Sequence, residues 1–133
     1  MATSDNVVRA GLTPKFKDVP ILLSMLTYEA GEAIAKIVQP TRRGQFSNLY
    51  VPRGIDEFSV LHSAVPKDGT ESLGSLGGPA LMLIIDGEGT LNGSIPIKKG
   101  WVGFISAKDE ITITSSTPSP LQAYTAFCNV TAS

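Results

Sequence analysis

The sequence predicts a mostly β fold, an antiparallel barrel or jelly roll, with one short helix near the N-terminus. Three observations carry that prediction. Short apolar runs, each bounded by Gly, Pro, Asp or Ser, follow one another from Ala33 to the end of the chain. Glu110 to Ser115 alternates strictly, Ile111 and Ile113 against Thr112 and Thr114, which is the period of a half-buried strand. Only one stretch, 18–28, sets its apolar residues at helical spacing. Short strands with turn residues between them close into barrels or stack as two sheets.

Taken in order, residues 1–17 are polar and turn-rich, and Gly11 and Pro14 oppose a helix through them. Asp18 suits an N-cap, and Pro20 lies in the first turn, where its missing N–H costs little. Leu22 and Leu26 share a face with Val19 and Leu23, and Gly31 follows as a stop. Strands are expected from Ala33 to Val38 and then in FSNLYVP, IDEFSVLHSAV, PALMLIIDG, GTLNGSIPI, WVGFIS, EITITS and LQAYTAF.

In DEFSVLHSAV the apolar Phe58, Val60 and Val65 roughly alternate with polar residues. PALMLII has no alternation and reads as central or buried on both faces. Pro66 to Gly78 is the one long Gly/Ser-rich loop, expected to be mobile. Gly87 and Gly89 read as a hairpin turn rather than a phosphate cradle, because a strand and not a helix follows them. Trp101 and the Phe residues are expected to fill the barrel, with an aromatic sugar platform as the other reading of Trp101.

At 133 residues the chain is the size of one domain, large enough for a core without staples. A formal net charge of −1, with basic residues scattered, gives no field for nucleic acid or anionic membrane, so neither partner is expected. One cysteine, Cys128, excludes an internal disulfide and fits a reducing compartment. MATSDNVVRAG has no signal-like apolar run, and no later run is long enough for a bilayer, so a cytoplasmic, soluble chain is expected. On that footing the acceptor patterns at Asn92 and Asn129 are chance matches. His62 is the single histidine, too few for an ordinary zinc site, and reads as a structural or surface imidazole; no metal ligand is assigned.

Gly87 to Ile111 contains a Lys-Lys-Gly turn and the strand Gly100-Trp101-Val102-Gly103-Phe104-Ile105-Ser106-Ala107. This resembles the second conserved motif of cupins. Ser106 stands where that motif has proline, and its metal-binding histidine would fall on or beside Ile111, which ligates nothing. The resemblance implies a cupin-type jelly roll without its metal.

The stretch SDNVVRAGLTPK, Ser4 to Lys15, with its continuation FKDVPILLSMLTY, resembles the start of the C-terminal portion of type I mannose-6-phosphate isomerases. LYVPRGIDEFSVLHS, GPALMLIIDGEGTL, KKGWVGFISAKDEITI and QAYTAF are similar to that family's successive strands, so the resemblance spans nearly the whole chain. It implies a leading active-site-like segment, 1–17, followed by a single metal-free cupin-like β domain, 18–133. It also implies a parent enzyme that interconverts mannose 6-phosphate and fructose 6-phosphate by proton transfer between C1 and C2. The parent's zinc ligands, a Gln, a Glu and two His, would lie upstream, so no cofactor is expected in this chain and zinc is expected in the parent.

By that resemblance Arg9 would be the family's catalytic arginine and Lys15 its lysine near the substrate; Asp5 and Asn6 are weaker substrate-binding candidates. A family acidic residue that would precede Met1 is absent, which implies a chain starting partway through such an enzyme. The expected partners are a sugar phosphate in the parent and the missing N-terminal catalytic half. Where that half would pack, an exposed apolar surface with a tendency to self-association is expected. Two other readings stand beside this one. Arg9 and Lys15 can be ordinary solvated charges on a loop, or the chain can be a free-standing cupin-like module for a carbohydrate or sugar phosphate.

Overall fold

A computed structural model describes residues 8–55 and 57–128. The chain divides into two compact units, Met1–Ile37 and Val38–Ser133.

In the first unit, the helix α1 spans Val19–Met25. Asp18 caps it, its Oδ1 accepting the Ile21 N–H at 3.1 Å, with Pro20 in the first turn as expected. It stops at Met25 because Leu26 turns to extended backbone, so Gly31 does not end it. None of its residues is buried. The strand expected at Ala33 to Val38 is instead a 3₁₀ turn, Ala33–Lys36, its last residue ion-paired through Lys36 to Glu29 at 3.3 Å. Ala-Ile-Ala-Lys suits a helical turn as well as a strand, and no neighbouring strand pairs with it.

The second unit is antiparallel throughout, with strands β1 Thr41–Arg42, β2 Ser47–Tyr50, β3 Ser59–Val65, β4 Thr70–Ser75, β5 Ala80–Asp86, β6 Glu88–Leu91, β7 Ile95–Lys98, β8 Val102–Ile105, β9 Glu110–Ser115 and β10 Leu121–Phe127. One sheet runs β1-β2-β3-β10-β5-β8 and the other β4-β9-β6-β7. The pairings nest: β6 with β7, β5 with β8, β4 with β9, β3 with β10. Such nesting is one long hairpin folded back across two sheets, the jelly roll that the sequence predicts. Its tip is Asn92-Gly93, where both residues take positive φ, 50° and 70°. Asn92 is fixed there by its amide, which donates to the Glu110 carbonyl and accepts from the Thr112 N–H, both at 2.8 Å. The core lies between the sheets, with Leu61, Met82, Ile84 and Leu121 from one and Ile97, Ile111 and Ile113 from the other.

Several strands differ from expectation, each for a local reason. GTLNGSIPI is two strands around the Asn92-Gly93 turn, not one. The loop Pro66 to Gly78 holds strand β4, paired along β9 between tight turns at Asp68 and Gly77. In β3 the phase is shifted by one. Ser59, Leu61, Ser63 and Val65 point in, while Phe58, Val60 and His62 lie half-buried on the other side. Small serines go inside because they pair there, Ser47 Oγ to Ser63 Oγ at 2.7 Å.

Gly87 does take positive φ, but it joins one sheet to the other rather than closing a hairpin, and a Cβ there would stand 2.8 Å from Leu121 Cα. Of the aromatics, Phe127 is buried and Trp101 packs against the core over Gly103, whereas Phe16 and Phe104 are exposed.

β5 departs furthest from prediction. It is central, as expected, yet only Ala80, Met82 and Ile84 are buried; Leu81, Leu83 and Ile85 face outward. An uninterrupted apolar run is therefore half core and half exposed face.

Candidate functional site

Arg9 and Lys15 lie on a loop that one backbone contact closes: the Asp18 N–H donates to the Arg9 carbonyl at 2.8 Å. Gly11 and Pro14 shape the intervening turn, Leu12 takes a positive φ of 47°, and Thr13 Oγ1 accepts the Lys15 N–H at 3.2 Å. The same Asp18 that receives the returning chain caps α1, so the helix start anchors the loop's end. Arg9 is half-buried and Lys15 exposed. Among the described residues neither makes an ion pair with a carboxylate. A guanidinium and an ammonium are the donor types that bind phosphate and other oxyanions. Asp5 and Asn6 lie outside the described residues.

His62 stands on the outward side of β3. Its Nε2 meets Gln122 Oε1 at 2.6 Å and its ring stacks on Tyr124, centroids 4.6 Å apart. Both partners come from β10, where Tyr124 is the register partner of His62, so the imidazole knits two strands together. No group of three or more His, Cys, Asp or Glu able to hold a metal occurs among the described residues. Ile111, on or beside which the cupin resemblance would put a metal histidine, is 1 % exposed and packed in the core. With one histidine already engaged and one cysteine, the donor set does not fit zinc.

Two further features escaped the sequence reading. Glu71 on β4 is buried, its carboxylate accepting the Phe46 N–H and lying against Gly44, so it fixes the turn between β1 and β2. A carboxylate inside a segment read as a mobile loop gives no outward sign of burial; only the pairing with β9 reveals it. The second is a cleft of about 490 Å³ lined by Glu88, Pro96, Lys98, Lys99, Trp101 and Ser116. No helix among the described residues is long and apolar enough to cross a membrane.

No family model matches the chain. Individual relatives do. The chain is 38 % identical over 138 aligned residues to the mannose-6-phosphate isomerase of Schizosaccharomyces pombe, covering 98 % of this chain and 33 % of that protein. It is 44 % identical over 117 residues to the Cryptococcus neoformans enzyme, covering 84 % of this chain and 27 % of that one.

The mannose 6-phosphate isomerase of Salmonella typhimurium, solved bound to substrate (fructose 6-phosphate) and zinc, superposes with a TM-score of 0.74. The match is at 25 % identity and covers 98 % of this chain and 32 % of that one. The chain thus matches mannose-6-phosphate isomerases along nearly its whole length and spans about a third of theirs.

Proposed function

We propose that this chain is the C-terminal, cupin-type portion of a zinc-dependent mannose-6-phosphate isomerase, contributing Arg9 and Lys15 to a site completed by the rest of the enzyme. The observation that carries the reading is the match itself, which runs through the Arg9 loop and every strand at 38 % identity with 98 % of the chain covered. A shared jelly roll alone would carry nothing about chemistry.

In the reaction proposed, a proton moves between C1 and C2 of the sugar phosphate, and negative charge develops on oxygen. A guanidinium offers a rigid pair of donors to such an oxyanion or to the phosphate. Arg9 fits that role, half-buried and free of a carboxylate partner among the described residues. Exposed Lys15 adds a mobile point charge for phosphate or sugar oxygens. Zinc would be held by the other part of the enzyme, since the donor set here does not fit it. A soluble metabolic enzyme of this kind would act in the cytoplasm.

The test is turnover. The chain alone, with zinc and mannose 6-phosphate, is expected to show none, because groups that act as a unit lose nearly all rate enhancement when part is removed. Clear turnover by a pure preparation would refute the reading. The cleft beside Trp101, with Lys98 and Lys99 on its wall, supports a second reading as a free-standing carbohydrate or sugar-phosphate module. That reading requires mannose 6-phosphate to raise the melting temperature progressively as its concentration increases over the dissociation constant, whereas the first predicts barely any response.

A further inference from the structure

We propose that the outward face of β5, β8 and β10 is the surface on which the remaining two-thirds of the isomerase polypeptide seats. The proposal rests on the reading above and adds the place of contact.

The face is built by register. Across the sheet, Tyr124 lies beside Leu83, and Leu83 beside Val102; one row on, Ala126 lies beside Leu81, and Leu81 beside Phe104. All of these side chains alternate with the core residues and point away from it. Leu81 is 56 % exposed, Val102 62 % and Phe104 71 %. A groove of about 340 Å³ between Phe58, Leu81, Phe104 and Ala126 continues the face at one end.

An antiparallel sheet with one side in water carries polar residues on that side. From Leu81 to Ile85, from Val102 to Phe104 and from Gln122 to Ala126, the outward positions include no charged residue. A contiguous apolar surface of this kind marks a contact site.

The occupant follows from length. The relatives carry about twice as much chain again beyond the third matched here. A neighbour on the same polypeptide acts at an effective concentration on the order of millimolar, which favours it over a second copy. β8 is also an edge strand, so a neighbour on this face lies close to an open row of backbone groups.

The test compares two proteins by hydroxyl-radical footprinting: this full chain, and a chimera in which it replaces the matching third of the Schizosaccharomyces pombe isomerase. Phe104, Leu81 and Tyr124 are expected to label readily in the chain alone and several-fold more slowly in the chimera. Phe104→Lys and Leu81→Lys should leave the melting temperature of the chain alone unchanged, since both side chains are exposed, and lower that of the chimera.

Equal labelling in both proteins would overturn the proposal, whether the face is open in each or already covered within the chain. A chain that sediments as a dimer, and as a monomer with Phe104→Lys, would assign the face to a second copy and overturn it too. An active chimera whose face still labels freely removes this inference and leaves the isomerase reading standing. A folded chimera without isomerase activity removes that reading instead.

Discussion

The Asp18 backbone N–H donates to the Arg9 carbonyl at 2.8 Å, while the Asp18 carboxylate caps α1 through the Ile21 N–H. One residue thus holds both ends of the arrangement: the loop that carries the proposed catalytic cation and the helix that follows. Removing the cap in Asp18→Ala is expected to cost about 0.5–2 kcal/mol of local helix stability. Hydrogen exchange at Ile21 and Leu22 should speed up, with the β9 and β10 amides unchanged. An unchanged exchange rate at Ile21 would show that the cap contributes nothing.

Glu71 is expected to be structural. It is 1 % exposed and hydrogen-bonded to the Phe46 N–H. Glu71→Ala leaves that half-buried donor without its acceptor and opens space in place of a buried side chain, which should lower unfolding free energy by about 1–3 kcal/mol. Glu71→Gln keeps an acceptor oxygen and should recover part of the loss. Equal destabilisation by both variants, measured by urea unfolding, would mean that the charge rather than the acceptor matters.

Much of the fold was legible because strand endings depend on local chemistry. Asp18 and Pro20 mark the helix start, Lys98-Lys99-Gly100 a turn, and Ile111 and Ile113 the inward side of β9. The errors came where local chemistry is ambiguous. The inward phase of β3 depends on Ser63 meeting Ser47 from another strand, a contact invisible along one segment. β5 reads as fully buried because Leu81, Leu83 and Ile85 on its outer side are apolar, and apolarity along one segment does not distinguish a core face from an exposed one. Arg9 and Lys15 were found through a family motif, since nothing in periodicity or charge singles them out. Glu71 had no such motif to reveal it.

The Asn92-Gly93 tip should be sensitive out of proportion to its exposure. Asn92 takes a left-handed conformation and its amide makes two hydrogen bonds to the start of β9. Asn92→Ala gives up both bonds and the conformational preference, an expected loss of about 1–3 kcal/mol. Because every pairing from β3–β10 inward is nested around this turn, the loss should appear as a lower cooperative melting temperature, not as local fraying. Local fraying of β6 and β7 alone would contradict that.

Lys15 and Arg9 should separate kinetically in the chimera described above. Removing an exposed point charge, Lys15→Ala, should mainly raise KM for mannose 6-phosphate with kcat little changed. If kcat falls as much as kcat/KM, Lys15 acts in the transition state and the assignment to binding is wrong.

The central claim is that Arg9 belongs to the active site of an isomerase only part of which is this chain. It is tested most directly by kcat/KM of the chimera with Arg9 and with Arg9→Ala. The account predicts an active chimera and a loss of about 10²–10³-fold on removing this one oxyanion-directed group. An Arg9→Ala chimera with undiminished kcat/KM would contradict it.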